Sequence, residues 1–248
     1  MFKRAILIAL SSLTVAFGAY TPAIAADPPA ATLRLTSTFP YAGAPAQFEV
    51  VNQVLEFANG AGTREHRHGG PGFVTVLEGQ STRRVGDEVN VYGPRQSYME
   101  PFGSLHSVRA TGRTRVYASF LLSPGAVQTI NDPNYPAPEA LNTTPILSKT
   151  VVNTQPGEFT VTQLVFDFAP GAVLPLHKHG GQGLATVSEG ELTFVSDNGE
   201  VRRAANSSFS SLTAPHEVRN TGSSNATMLV VVLVPHGAEA TTYLTSGA

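Results

Sequence analysis

The feature that most constrains this chain is an internal repeat marked by histidines. The segment "HRHGGPG" at 66–72 returns as "HKHGGQG" at 177–183. The segment "HSVRATG" at 106–112 returns as "HEVRNTG" at 216–222, with almost the same offset. Between these landmarks, "FVTVLEGQST" corresponds to "LATVSEGELT". Self-similarity at a nearly constant offset predicts two fused copies of one module.

Six of the seven histidines fall at matched positions of this repeat, and only His236 lies outside it. Histidines that served solubility alone would not be distributed in this way. The alternative is a duplicated module with structural histidines that are satisfied by hydrogen bonds. The matched positions favour two functional clusters, one in each module, formed by His66, His68 and His106 and by His177, His179 and His216.

Short alternating segments such as "EVNVYG", "FTVTQLVFDF" and "TMLVVVLVP" predict β-strands, and several are followed by glycine-containing turns. No stretch after the N-terminal segment has a sustained helical period. Evenly spaced short strands favour closed or double-sheet barrels. We therefore predict an all-β protein of two tandem jelly-roll barrels, with modules at 27–130 and 148–248 joined by a Pro- and Asn-rich linker at 131–147.

The N-terminus predicts a signal peptide over residues 1–26 and a secreted or periplasmic protein. Lys3 and Arg4 precede an apolar stretch, and "AIA" at 23–25 offers small residues at the cleavage positions. A membrane anchor is the alternative, but the apolar stretch is shorter than the ~20 residues that a spanning helix needs. The chain has no cysteine, which excludes a disulfide framework and a lipidated cysteine.

The charge balance bears on the partners of this protein. The net charge is −2 and no basic run occurs, so a nucleic-acid partner is not expected. We expect a small-molecule substrate and no membrane association once the signal peptide is removed. A homo-oligomer is compatible with the sequence.

The spacing of the histidines predicts metal ligands. Residues i and i+2 of a strand share a face, so His66 and His68 converge while Arg67 points away. With His106 from another strand, three imidazoles could reach ~2.0–2.1 Å from one ion and leave positions open for a substrate. A structural zinc site would fill all four positions, usually with cysteine. We predict one divalent transition metal per module, chosen among Fe, Mn, Zn, Cu and Ni.

At these motifs the chain resembles a bicupin, two fused modules of the cupin superfamily, over roughly residues 45–236. The first cupin motif has His-x-His, a glutamate four or five residues on, and a glycine that ends the next strand. The second motif is Pro-x-Gly-x-x-His-x-x-x-Asn. The matching residues are His66, His68, Gly79, Pro101, Gly103 and His106 in the first module, and His177, His179, Gly190, His216 and Asn220 in the second.

The chain departs from the resemblance at the glutamate ligand. The expected positions hold Gly72 or Phe73 in the first module and Gly183 or Leu184 in the second. By resemblance, cupins with three histidines and no glutamate are non-haem iron dioxygenases or metal-dependent isomerases and lyases. This departure argues against an oxalate-decarboxylase-like or quercetinase-like enzyme, since those resemble the type with three histidines and one glutamate.

Together with the predicted signal peptide, the resemblance implies an exported, metal-dependent enzyme that acts on a small oxygenated organic molecule as a dioxygenase-like oxidoreductase. Two alternatives stay open. One is a redox-neutral lyase, decarboxylase or isomerase that uses the ion as a Lewis acid. The other is a non-catalytic cupin that binds a metal or a sugar.

Glu100 and Tyr98 are the candidate catalytic residues. Glu100 lies on the strand that leads to His106 and is predicted to act as a general acid or base, unless it is merely solvated at the barrel rim. Tyr98 lies near the same triad by motif position, with a lining role as the alternative. The second module offers only Ser208, Ser210 and Ser211 along the matching strand. We therefore expect the first site to carry most of the chemistry.

Overall fold

The computed structural model describes residues 27–44, 47–135, 148–153, 157–210 and 212–245. These residues form eighteen β-strands and no helix. In this part of the chain no helix is long and apolar enough to cross a membrane. The predicted signal peptide and residues 136–147 of the predicted linker lie outside the described residues.

The strands follow the alternating segments of the sequence, and the longest contain most of the Val, Leu and Phe residues. Before the linker they are β1 (Thr32–Ala44), β2 (Gln47–Phe57), β3 (His66–His68), β4 (Gly72–Val85), β5 (Glu88–Tyr92), β6 (Ser97–Glu100), β7 (Ser107–Leu122) and β8 (Thr129–Asn131). After it they are β9 (Ser148–Asn153), β10 (Gly157–Phe168), β11 (Val173–His179), β12 (Gln182–Glu189), β13 (Glu191–Ser196), β14 (Gly199–Ala204), β15 (Ser208–Phe209), β16 (His216–Arg219), β17 (Ala226–Pro235) and β18 (Thr241–Tyr243).

Each module is built from two sheets. In the first, a six-stranded sheet has the order β5-β4-β7-β2-β9 with β6 paired to β4, and β3 pairs with β8. An antiparallel bridge between His66 and His106 joins this small sheet to the start of β7. In the second module, two five-stranded sheets have the orders β1-β10-β17-β12-β15 and β14-β13-β16-β11-β18. The prediction of an all-β protein is confirmed.

The inward-facing residues of each module form a separate apolar core. Burying one such side chain stabilises the fold by ~1.5–3 kcal/mol, so these cores can hold a chain that has no disulfide. The first core includes Val51, Phe57, Val74, Val116 and Phe120. The second includes Leu164, Phe166, Leu174, Phe194, Val218 and Val230.

The modules exchange strands. Strand β1 pairs with β10 of the second module, from Thr32 opposite Asp167 to Ala44 opposite Gly157. Strand β9 pairs with β2 of the first module, from Gln47 opposite Asn153 to Asn52 opposite Ser148. The sheet of each module is thus completed by a strand from the other side of the linker. The boundary between the sheets does not coincide with the linker in the sequence.

A buried polar pair links the modules with approximate twofold symmetry. Asn52 donates to the carbonyl of Leu184 at 3.2 Å, and Gln163 donates to the carbonyl of Phe73 at 3.0 Å. Asn52 and Gln163 occupy matched positions of the repeat, and so do Phe73 and Leu184. Apolar side chains from both modules surround these bonds, among them Phe39, Phe48, Val50, Leu121, Phe159, Val161, Val231 and Leu233.

Candidate metal centres

The first predicted triad is assembled where β3 meets the start of β7. His66 and His106 exchange two backbone hydrogen bonds of 2.8 Å, which fixes the two strands side by side. His68 follows two residues after His66 on the same face, and Arg67 between them is exposed. One ring nitrogen from each of the three histidines lies within 4.8 Å of the others, and all three side chains are buried. The predicted convergence is confirmed.

Backbone carbonyls orient the three imidazoles. A carbonyl can only accept, so an Nδ1 that contacts one carries the proton and leaves the lone pair on Nε2. Fixing the tautomer through the other ring nitrogen is typical of metal-ligating histidines. The Nδ1 atoms of His66, His68 and His106 lie 2.8, 2.8 and 2.9 Å from the carbonyl oxygens of Arg64, Gln128 and Ser104.

The second triad repeats this arrangement. His177 and His179 lie on β11, and His216 begins β16. The Nδ1 atoms of His177, His179 and His216 lie 2.7, 3.0 and 2.9 Å from the carbonyl oxygens of Pro175, Ala240 and Ala214. Among the described residues, the buried Nε2 of His177 has no hydrogen-bond partner. Three buried lone pairs that face one another fit a divalent transition metal, and both triads could hold such an ion.

The electrostatics keep most of these imidazoles neutral. Burial, together with the neighbouring His106 and His68, lowers the pKa of His66 to about 4. In the second triad, burial and His216 lower the pKa of His177 to about 3. Burial likewise lowers the pKa of His179 to about 4. Neutral imidazole is the form that ligates a metal.

Glu100 lies in the first site rather than at a solvated rim. It ends β6, is only 3% exposed, and places Oε2 3.1 Å from His68 Nε2 and Oε1 3.0 Å from His106 Nε2. Burial raises the pKa of the Glu100 carboxyl, but His106 and His68 outweigh that effect and hold the pKa below its usual value. Burial lowers the pKa of His106, and the carboxylate of Glu100 more than reverses this. The site thus contains a buried carboxylate.

Tyr98 lies two residues before Glu100, on the same face of β6. Its side chain is buried, and its hydroxyl is 3.4 Å from Ser81 Oγ. The ring packs 4.4 Å from that of Tyr92, centroid to centroid. Burial, with a smaller contribution from Glu100, raises the pKa of Tyr98 well above its usual value. The phenol therefore keeps its proton throughout the neutral range.

A cavity of about 570 Å³ is lined by His66 and His68 of the first triad. The half-buried Arg64 lines it, and among the described residues no carboxylate pairs with this guanidinium. Sequence reasoning missed Arg64, although its position two residues before His66 follows the spacing that places His66 and His68 together. The apolar lining consists of Leu55, Phe57, Val74, Val108, Val116, Phe120 and Val127, and the polar lining includes Gln53, Thr63, Gln128, Thr129 and Asn131.

The surroundings of the second triad are apolar and aromatic. The rings of Phe209 and Tyr243 lie 5.4 Å from His216 and 6.0 Å from His177, centroid to centroid. Leu212 is fully buried, and its carbonyl accepts a 2.8 Å hydrogen bond from the backbone of His179. Of the three serines expected along this strand, Ser208 and Ser210 are described and Ser211 is not.

Fold and site together define a two-domain, all-β protein with a possible metal centre in each domain. Two segments of the sequence match the family described as "Cupin domain", at residues 53–121 and 164–232. These segments cover more than half of the chain. The chain therefore belongs to the cupin family and is a bicupin, as predicted. No curated protein matches the sequence significantly.

Solved structures with the same fold are distant in sequence. The oxalate decarboxylase from Bacillus subtilis is 15% identical, with a TM-score of 0.54 over 86% of this chain and 79% of that one. A formate complex of the Lactobacillus farciminis oxalate decarboxylase is 14% identical, with a TM-score of 0.54 over 86% of each chain. AerE from Microcystis aeruginosa is 12% identical, with a TM-score of 0.50 over 80% of this chain and 97% of that one. At such identities the likeness supports the tandem cupin fold alone.

Proposed function

We propose that this bicupin is a metal-dependent, redox-neutral lyase or decarboxylase whose first module acts on a small carboxylic acid with a hydrocarbon portion. One observation carries the proposal: a single cavity is lined by two histidines of the triad, by a buried carboxylate that also contacts the third, and by an arginine with no carboxylate partner among the described residues. Two of the similar structures are named as oxalate decarboxylases, which supports the redox-neutral reaction class.

His66, His68 and His106 are the residues that would hold the ion. The metal, when bound, supplies a Lewis acid that stabilises negative charge on a substrate oxygen. One similar structure is named for the Mn(II) centres of the Bacillus subtilis oxalate decarboxylase, and Mn(II) is therefore the first ion to test here.

Arg64 is proposed to bind the carboxylate of the substrate. A guanidinium presents a fork of N–H donors that matches a carboxylate, and Arg64 lies on the cavity wall beside His66. Most of the remaining wall is apolar, and the cavity is far larger than the smallest dicarboxylic acid requires. These features favour a substrate with an apolar body held against Leu55, Val116 and Phe120.

Tyr98 is proposed as the proton donor. When a carboxylate leaves as carbon dioxide, the electron pair of the broken C–C bond stays on carbon and must take up a proton. The Tyr98 phenol is protonated, buried and part of the cavity wall. Glu100 was predicted from the sequence as a proton carrier, but its contacts with two imidazole nitrogens favour another role, argued in the next subsection.

The dioxygenase-like interpretation depended on a site without a carboxylate ligand. The contacts of Glu100 with His68 and His106 argue against that premise and support the redox-neutral alternative as the preferred reaction. Export, based on the segment 1–26, stays part of the proposal.

The reaction class is tested with Mn(II)-loaded protein, mono- and dicarboxylic acids with apolar tails of increasing length, and assays for carbon dioxide release and oxygen uptake. We expect carbon dioxide release under anaerobic conditions. Turnover that consumes dioxygen in a stoichiometric amount would contradict the redox-neutral reaction and support a dioxygenase. Absence of turnover with Mn, Fe, Co, Ni, Cu or Zn would favour a binding protein.

The substrate anchor is tested with Arg64→Gln. Loss of a charge-assisted hydrogen bond costs ~1.5–3 kcal/mol, so KM should rise by roughly tenfold or more. The control is Arg67→Gln, which removes the same charge from an exposed position on β3. Equal KM values for the two variants would exclude Arg64 as the anchor without affecting the assignment of the metal site.

A further inference from the structure

We infer that Glu100 is a fourth protein ligand of the metal in the first module, supplied by β6 instead of by the cupin motif that starts with the histidine pair. The inference rests on the proposed function in one respect, that the first triad holds a metal. The cupin motif has a glutamate at position 72 or 73, where this chain has Gly72 and Phe73. Glu100 would take over the role of that glutamate.

The contacts of Glu100 require a positive charge beside it, and a metal ion supplies that charge without protonating the buried imidazoles. The Nδ1 atoms of His68 and His106 already contact carbonyl oxygens, so their Nε2 atoms carry lone pairs. Carboxylate oxygens also carry only lone pairs, yet they lie 3.1 and 3.0 Å from these two nitrogens. Four lone-pair atoms in a buried space repel one another unless a positive charge lies among them. A divalent ion satisfies all of them, whereas protons would have to charge two buried imidazoles.

The strand register shows why a glutamate at position 100 can replace one at position 72. Gly72 on β4 is directly opposite Glu100 on β6. A Cβ atom at position 72 would lie 2.9 Å from Glu100 Oε2 and 2.7 Å from Phe120 Cε1. The space that a side chain at position 72 would enter is therefore already filled from the neighbouring strand. The glycine at position 72 leaves room for the side chain of Glu100, which takes the place of a side chain from position 72.

Position 73 could not supply the ligand. Phe73 is fully buried and belongs to the apolar cluster between the modules, with its ring 5.2 Å from that of Phe39, centroid to centroid. Strand alternation thus turns position 73 away from the triad. Of the two motif positions at which the glutamate was expected, only 72 faces the metal site, and there Glu100 takes its place.

The second module has no glutamate in the place that Glu100 occupies opposite Gly72. A Cβ atom at Gly183, the counterpart of Gly72, would clash with the backbone carbonyl of Val231 and would lie 3.0 Å from Leu212 Cδ1. The side chain next to this position is therefore a leucine, where the first module has the carboxylate of Glu100. Among the described residues, no carboxylate forms an ion pair with His177, His179 or His216, whereas Glu100 forms one with His68 and one with His106. We infer a four-ligand site in the first module and a three-histidine site in the second.

The experiment uses the full chain with His177→Ala and His216→Ala, so that only the first site binds metal. Mn(II) binding is measured by the electron paramagnetic resonance signal of free Mn(II). In this background Glu100→Gln should weaken binding at least tenfold, a loss of the size seen when even an outer partner of a ligand is removed. The matched control is Glu65→Gln, which removes the same charge next to His66 from a carboxylate that interacts with Tyr135.

A direct readout keeps the test independent of folding in the variants. In protein with an intact Glu100 and carboxyl-¹³C-labelled glutamate, electron–nuclear double resonance of bound Mn(II) should show a ¹³C coupling, and Glu100→Gln should abolish it. Absence of this coupling, or equal Mn(II) affinity in folded Glu100→Gln and Glu65→Gln variants, would overturn the inference. If affinity is unchanged while turnover is lost, Glu100 is a proton carrier and the proposed function stands. If the parent binds no Mn, Fe, Co or Zn at all, both proposals fail.

Discussion

The two histidine triads have the same backbone frame and different surroundings. In both, a His-x-His pair on a strand meets a third histidine from a neighbouring strand, and carbonyl oxygens orient all three rings. The first triad faces a carboxylate and a cavity with an arginine. The second faces Leu212, Phe209 and Tyr243. The repeat thus preserves a geometry that could hold a metal ion, while the neighbouring strands give the two sites different surroundings.

The largest expected difference between the modules is in turnover. His106→Ala removes a proposed metal ligand from the site next to Glu100 and the cavity, and activity should fall at least ~100-fold, in line with the loss of a group that acts in the transition state. His216→Ala should lower the metal content by one ion and leave most of the activity. Steady-state kinetics and elemental analysis of both variants check this. A greater loss of turnover in folded His216→Ala would assign the chemistry to the second module.

The next difference concerns stability against acid in metal-free protein. The folded-state pKa values of His177 and His179, about 3 and about 4, lie below the ordinary value of 6.5. As pH falls below 6.5 the unfolded chain takes up protons that the folded chain refuses, so the free energy of unfolding should decrease down to about pH 4. The slope is roughly 1.4 kcal/mol per pH unit for each histidine.

Replacing His177 and His179 by Asn should remove the part of this decrease that comes from the second triad and leave the part that comes from His66, whose pKa is also lowered to about 4. Replacing His106 should not reduce the decrease, because Glu100 raises the pKa of His106 and the sign of its contribution is reversed. The free energy of unfolding of both variants and of the parent is measured by denaturant unfolding of chelator-treated protein between pH 7 and pH 4. If the double variant keeps the slope of the parent, the second triad is not the source of acid sensitivity.

The smallest expected difference lies at the interface between the modules. Asn52→Ala and Gln163→Ala each leave a buried carbonyl without its donor, at a cost of about 1–3 kcal/mol. Because the two amides occupy matched positions, the two losses in unfolding free energy should be similar. Gln80→Ala, on the surface of β4, is the control. A loss of unfolding free energy in only one of the two variants would show that the two hydrogen bonds are similar in geometry but differ in their contribution to stability.

The sequence was sufficient to predict what depends on local spacing. The i, i+2 rule placed His66 and His68 on one face, and the repeat gave both triads and the two-barrel, all-β fold. The role now inferred for Glu100 depends on its pairing with Gly72 across β4 and β6, which β5 separates in the chain. A motif search along one strand therefore finds only that the glutamate is missing. The strand exchange of β1 and β9 was not predicted for the same reason, since either strand could alternate in either sheet.

The exchange of β1 and β9 has a consequence for the order in which the chain can fold. Strand β1 emerges from the ribosome first, but its partner β10 is made only after the first module and the linker. The first sheet in turn remains open along β2 until β9 arrives from beyond the linker. Neither barrel can be completed during synthesis of its own half. The bicupin therefore reaches its native state only after nearly the whole chain has emerged, and a fragment that ends at the linker would leave β1 unpaired and the edge of β2 exposed.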